Sequence, residues 1–294
     1  MPRGPSQSLL LGLLAALFVA AFLASLLVGP AGLPLSTAFQ ALFSNENPAA
    51  TLVMHEIRMP RAILAALIGG TLGLTGAVLQ GFLRNPLADP NILGISSSAA
   101  LGAVLVIYTG LSATFALALP LAAMAGALLA VMVIYTLSGS HAGTLTLILA
   151  GLAISTFAGA MTTLVLNLSP NPYAALEIVY WMLGSLTDRS WTHVLLAAPF
   201  IVVGSLLLAL SARALDALTL GADVAASLGI DLPRTRTLIV LGAAMAIGAA
   251  TAVAGAIGFI GLVVPHVLRP LVGRQPSRLL PASAIAGASL LLLA

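Results

Sequence analysis

Ionisable side chains are few enough in this sequence to weigh one at a time. Its 294 residues hold 8 acids, 4 histidines and 11 basic residues, and every base is an arginine. Covalent catalysis inside a membrane would need paired carboxylates, an HExxH zinc helix or a nucleophile beside a base. None of those spacings occurs. His55, His141, His193 and His266 are scattered and lie near the ends of apolar runs. The chain has no cysteine, which excludes disulfides, thiolate metal sites and cysteine nucleophiles. It has no lysine either, which excludes a GxxxxGK[ST] phosphate loop. A proton- or ion-coupled carrier would place carboxylates at membrane depth, yet all 8 acids fall in connections or at helix ends. No segment resembles a selectivity filter, and no arginine cluster resembles a nucleic-acid surface. The residues argue against an enzyme and against a self-powered transporter; they suggest a membrane body whose driving force sits on another chain, with an autonomous secondary transporter or channel as the alternative.

The elements that carry these residues can be read from composition. The chain is 60% hydrophobic and only 6% charged, with mean hydropathy +1.14; a soluble domain carries about 25% charged residues. So much apolar surface needs a bilayer as its solvent. Apolar runs predict spans near 8–29, 61–82, 92–108, 115–137, 144–167, 192–212, 236–256, a shorter one at 257–270, and 279–294. Unbroken runs of this length read as helices rather than barrel strands. The start, "MPRGPSQS", resembles a signal-peptide n-region, but the run after it is long enough to span and lacks a clear cleavage site, so it reads as a retained helix. The last run is still apolar at Ala294 and reads as a truncated ninth span. The expectation is a single all-α transmembrane domain over 1–294, with eight spans plus that ninth.

Arginine placement gives the orientation. With the N-terminus inside, Arg3, Arg84, Arg213, Arg234, Arg236, Arg269, Arg274 and Arg278 fall inside, and Arg58, Arg61 and Arg189 fall outside. Omitting the short run at 257–270 destroys this bias, which supports counting it as a crossing.

Three connections exceed a turn. The outer segment 30–60 holds "NENPAA" and "HEIRMPR". The outer segment 168–191 holds "YAALEIVYWMLG", which reads as a short amphipathic helix with aromatics at Tyr173, Tyr180 and Trp181. The inner segment 213–235, "RALDALTLGADVAASLGIDLPRT", should form two short helices broken at Gly221 and Gly229, with Leu215, Leu218, Leu220, Ala225 and Leu228 on their apolar side. Too polar to span and too patterned for a slack loop, it suits docking of a partner at 214–231. Between the second and third spans, "RNPLADPNILG" (84–94) interrupts the helix with two prolines, and Asp89 or Asn91 can cap the next helix. Small residues at helical spacing, Gly69 and Gly73 among them, permit close helix packing. Thr71, Thr75, Gln80, Ser155, Thr156, Thr162 and Asn167 could line a polar path or bond between helices.

The blocks "EIRMPRAILAALIGGTLGLTGAVLQGFLRNPLADPNILGISSSAALG", "LTLGADVAASLGIDLPRTR" and "AVAGAIGFIGLVVPHVLRPLVG", in that order, resemble the FecCD-type permeases. These are membrane subunits of ABC importers for iron–siderophore complexes, haem and cobalamin in bacterial inner membranes. The resemblance implies a ten-helix permease present in two copies, two cytoplasmic ATPases that bind ATP and magnesium, a periplasmic binding protein, and no cofactor on this chain. It implies binding-protein docking at Arg58 and Arg61. ATPase coupling would fall to Leu218, Leu220, Gly221, Ala225, Leu228 and Gly229. A cytoplasmic gate would fall at Asn85, Leu87, Thr144 and Leu145, where the apolar Leu145 departs from relatives with two hydroxyl residues. The block "GFIGLVVPH" gains no role from the resemblance; a helix-end hydrogen bond is the expectation for His266.

Overall fold

The computed structural model describes residues 7–29, 32–115, 117–138, 144–169, 171–273 and 275–294. His141 and the side chain of Thr144 lie outside the described residues. Within them the chain is helical throughout: α1 (Gln7–Leu27), α2 (Leu35–Gln40), α3 (Pro48–Leu52), a π-helical turn Val53–Arg58, α4 (Met59–Phe82), a 3-10 turn Pro90–Leu93, α5 (Ile95–Tyr108), α6 (Leu111–Thr114), α7 (Ala118–Ser138) and α8 (Thr144–Asn167). Then come α9 (Pro172–Leu183), α10 (Trp191–Leu210), α11 (Ala212–Leu218), α12 (Ala222–Ser227), α13 (Leu232–Ala254), α14 (Ile260–Val272) and α15 (Pro276–Leu293).

Among the described residues, seven helical stretches are long and apolar enough to cross a membrane: Gln7–Leu27, Pro48–Phe82, Ala118–Leu137, Leu145–Asn167, Trp191–Leu218, Leu232–Ala254 and Pro276–Leu293. At the places expected for the third and eighth crossings stand the shorter α5 and α14, of 14 and 13 residues. At 1.5 Å per residue these rise only about 20 Å, short of a hydrocarbon core of about 30 Å.

The bundle is built around α4 and α13. Every residue from Thr71 to Gln80 is buried, and so is every residue from Ala246 to Gly255. Apolar side chains on all faces suit a helix wrapped by other helices. What lets neighbours approach α4 is the glycine row. A side-chain carbon on Gly69 would collide with the carbonyl of Gly287, one on Gly73 with the carbonyl of Ser283, and one on Gly76 with the carbonyl of Gly261. The α4–α15 and α4–α14 seams are therefore backbone against backbone, the contact that small residues allow in lipid.

Polar side chains tie the same helices. Thr71 Oγ1 lies 2.8 Å from Ser205 Oγ on α10. Gln80, 1% exposed, donates from Nε2 to the carbonyl of Leu262 at 3.1 Å and accepts at Oε1 from Arg269 Nη2 at 2.7 Å, so it holds α14 from both ends of its amide. Buried polar groups need such partners.

Gly76 lies in the last third of α4, so its contact with Gly261 places the head of α14 well below the outer end of the bundle. The connection from Ala254 descends to it as non-helical backbone. Such backbone survives at membrane depth only inside protein or beside water. Here the amide of Ser185 donates to the carbonyl of Ala254 at 2.8 Å, and a cavity of about 410 Å³ lies alongside, lined by Arg61, Ser185, Thr187, Ile257, Gly258 and Leu291.

Candidate functional site

Arg58 and Arg61, expected together at the outer rim, part company. Arg58 closes the π-helical turn, points inward and is 6% exposed. Its Nη1 donates to the carbonyls of Leu26 at 2.9 Å and Leu27 at 2.8 Å, the last two of α1. Those carbonyls have no partners within their own helix, and a cation there also meets the negative end of the helix dipole. Gly29 leaves room for the guanidinium: a side-chain carbon there would sit 3.2 Å from it. Of the expected docking pair, Arg58 is therefore the one held inward on carbonyls. Arg61, one turn on, is exposed and opens onto the 410 Å³ cavity. The third outer arginine, Arg189, is partly buried; burial lowers its pKa from the ordinary arginine value, and Asp188 beside it opposes that shift. Arg61 is thus the exposed arginine of this face.

A π-helical turn, wider than an α-helix, leads into α4 over Val53–Arg58. The turn is also pinned from α10, where Trp191 Nε1 donates to the carbonyl of His55 at 2.9 Å. Nearby, α9 starts at Asn171, whose side chain accepts from the amide of Ala174, and anchors through fully buried Ile178, while Tyr180 stays 69% exposed.

At the arginine-rich end, "RNPLADPNILG" folds as a tight loop. Arg84 takes a positive φ of 50°, and Asn85 Oδ1 accepts from the amide of Leu87 at 3.0 Å. Of the two capping candidates Asp89 is the one used, accepting from the amide of Asn91 at 2.8 Å ahead of the 3-10 turn. Gly94, at φ 69°, then admits α5. The loop packs into the bundle: a side-chain carbon on Gly151 of α8 would strike the carbonyl of Ile92, and one on Gly261 would meet Pro90. Asn85 and Leu87 stay exposed, as does Leu145 near the start of α8. The loop and α8 are therefore fastened together, with these exposed residues beside the fastening.

The segment 214–231 forms the two expected short helices, with Gly221 at φ 117° and Gly229 at φ 82° between and after them. Its leucines, expected on one apolar side, divide between two. Leu215, Leu218 and Ala225 are buried against the bundle, whereas Leu220, Val224 and Leu228 are 65%, 42% and 62% exposed. Leu220 lies just past the end of α11, and on α12 Ala225 turns inward while Val224 turns outward, with Leu228 outward at its end. Asp231 caps α13 by accepting from the amide of Arg234 at 2.9 Å.

Asp216, not singled out by sequence, and Gln80, one of the interhelical candidates, also act here. Asp216 on α11 bonds the start of α15, and Gln80 holds α14. Only an acid inside an arginine-rich loop hints at the first, and an amide in an apolar run at the second. Of the polar-path candidates, Thr71 and Ser155 bond across helices, the latter to Ser97 at 2.9 Å. Thr75, Thr156 and Asn167 bond carbonyls of their own helices, and Thr162 is buried. His266 stands exposed in the middle of α14, not at a helix end.

The model of the FecCD transport family matches residues 17–294. The cobalamin import system permease protein BtuC of Halobacterium salinarum is 42% identical over 248 residues, covering 83% of this chain and 66% of the relative. The hemin transport system permease protein HmuU of Yersinia pestis is 39% identical over 291 residues, covering 97% of this chain and 86% of the relative. A solved metal-chelate type ABC transporter in an inward-facing conformation superposes with TM-score 0.85 at 30% identity, over 96% of this chain and 88% of its own. The chain belongs to the FecCD transport family.

Proposed function

We propose that this chain is the permease subunit of a binding-protein-dependent ABC importer in a bacterial inner membrane, and that its cargo is an iron chelate, with haem and cobalamin as the alternatives. The observation that carries the reading is the α11–α12 pair. It is anchored through Leu215, Leu218 and Ala225 and offers Leu220, Val224 and Leu228 outward on the arginine-rich side. An anchored base with an exposed apolar ridge suits a helix-in-groove contact, here with an ATPase that binds ATP and magnesium.

Two copies of the permease would form the cargo path between them. Closure of the ATPases moves the α11–α12 pairs, and the copies rock between two packings. Cargo released by the binding protein enters on the Arg61 side and leaves past Asn85, Leu87, Thr144 and Leu145. Arg61 supplies the charge that steers the binding protein, while Arg58 holds the scaffold beneath it.

Reconstituted with its ATPase and binding protein, the permease should accumulate ferric chelate in proteoliposomes only when ATP is supplied. Robust uptake by the permease alone would favour an autonomous transporter or channel and overturn the reading. Uptake of haem or a corrinoid in preference to iron chelates would reassign the cargo.

A further inference from the structure

Asp216 sits on α11, between the buried anchors Leu215 and Leu218. Its carboxylate reaches outside its own helix. Oδ1 accepts from the backbone amide of Ser277 at 2.9 Å, and Oδ2 accepts from Nε2 of Gln275 at 3.2 Å. Ser277 lies in the first turn of α15, where backbone amides lack partners within the helix and the dipole is positive. Gln275, the residue at its N-cap, makes no side-chain cap bond. The cap comes instead from a short helix some sixty residues earlier in the chain.

The same place joins a third helix. Gly81, in the last turn of α4, sits against both Leu215 of α11 and Pro276 of α15. From there α15 runs along α4 with their backbones in contact at Gly69, Gly73 and Gly287. Movement of α15 is thus movement of α4, the buried axis of the bundle. At its other end the pair runs on in the chain to α13, whose first turn Asp231 caps. The exposed ridge Leu220–Val224–Leu228 hangs between two aspartate-capped helices.

We propose that Asp216 is the positioning residue that delivers displacement of the α11–α12 pair to α15 and α4, and so couples ATP hydrolysis to cargo movement. Its carboxylate is a directional tie: a carboxylate accepting from the Ser277 backbone amide and the Gln275 side-chain amide makes stronger hydrogen bonds than a neutral pair and transmits pull as well as push. Apolar contact at Leu215 alone transmits push and lets the helices part under pull. This inference rests on the reading of 214–231 as the ATPase contact.

The test uses the full assembly of permease, ATPase and binding protein in proteoliposomes. It measures ATPase retention, ATP turnover and cargo transported per ATP. Asp216→Ala should retain the ATPase and hydrolyse ATP, while cargo per ATP falls about tenfold, the factor corresponding to one lost helix cap. Asp216→Asn keeps an acceptor for Ser277 but loses the charge, and should fall between Ala and wild type. Gln275→Ala removes only the second bond and provides a variant with α11 untouched; a smaller fall is expected there. Cargo per ATP unchanged in Asp216→Ala would overturn the proposal, and so would loss of the ATPase from that variant, which would make Asp216 part of the docking surface. A separate variant, Leu220→Asp with Leu228→Asp, tests the underlying reading: it should release the ATPase. Retention of the ATPase there would sink the docking assignment, whatever the Asp216 variants do.

Discussion

The α4–α15 seam and the outer face of α8 use the same residue types to opposite ends. Along the seam Gly69, Gly73 and Gly287 bring two backbones into contact, leaving no space for a single added carbon. On α8, Thr156, Gly159, Ala160 and Thr163 form a comparable small-residue face that is exposed, and Gly159 has nothing within 4 Å. In the seam, smallness is consumed by packing within the chain. On α8 it is left unused by this chain, which suits a wall that meets something outside it, as the two-copy reading requires. The arginines repeat the contrast: Arg58 is spent inside on the carbonyls of α1, and Arg61 stays open.

Four substitutions bear on this contrast, in descending size of effect. Gly73→Leu should be the most damaging. Its side chain would enter the backbone of Ser283, which cannot rotate aside, so a loss beyond about 3 kcal/mol is expected. The readout is thermal unfolding of the purified protein in detergent; a near-normal transition would mean the seam has room for a side chain. Arg58→Ala should come second, at about 2–3 kcal/mol, because it strands the buried carbonyls of Leu26 and Leu27. Proteolysis of the 28–57 segment should accelerate in that variant, and unchanged cleavage would mean the clamp does not hold that segment.

The other two probe the open side. Gly159→Leu should leave unfolding of the isolated chain within about 0.5 kcal/mol of wild type. It should nevertheless reduce the two-copy form seen by mass-resolved chromatography; a large loss of stability would show that α8 is packed within the chain. Arg61→Ala should move stability least of all. Its effect belongs in binding-protein affinity, weakened in a way that added salt reproduces in the wild type. A drop in thermal stability matching that of Arg58→Ala would erase the distinction between the two arginines.

Much of the fold is readable from residue order, because lipid imposes strong rules. The nine apolar runs mark where apolar helices stand, although α5 and α14 are too short to cross on their own. The break at Pro86 and Pro90 and the punctuation at Gly221 and Gly229 are local backbone chemistry, and local chemistry is written locally. What depends on a distant partner is not readable. Gly73 and Gly159 look alike until Ser283 is placed beside the first. Leu218 and Leu220 are two residues apart in one pattern, yet one faces the bundle and the other faces out. Asp216 gains its meaning from Ser277, and nothing near it in sequence announces that bond. Arg58 likewise takes its carbonyl partners from α1, 31 and 32 residues away in the chain.

The Arg58 clamp has one more consequence, in the statistics of chain closure. It joins residues 31 and 32 positions apart, and it works beside packing: Ala38, Ala41, Ala50 and Met54 of the segment between α1 and α4 are buried with Ala21, Leu26, Ala62 and Ala65. Closing a flexible loop becomes costlier only with the logarithm of its length, about 0.6 kcal/mol for each doubling. The exposed stretch 45–49, between buried Ala41 and Ala50, is therefore where the segment can lengthen at little cost while Arg61 and the head of α4 stay in register. A surface that must match a changing partner can be rewritten there without redesigning the membrane body beneath it.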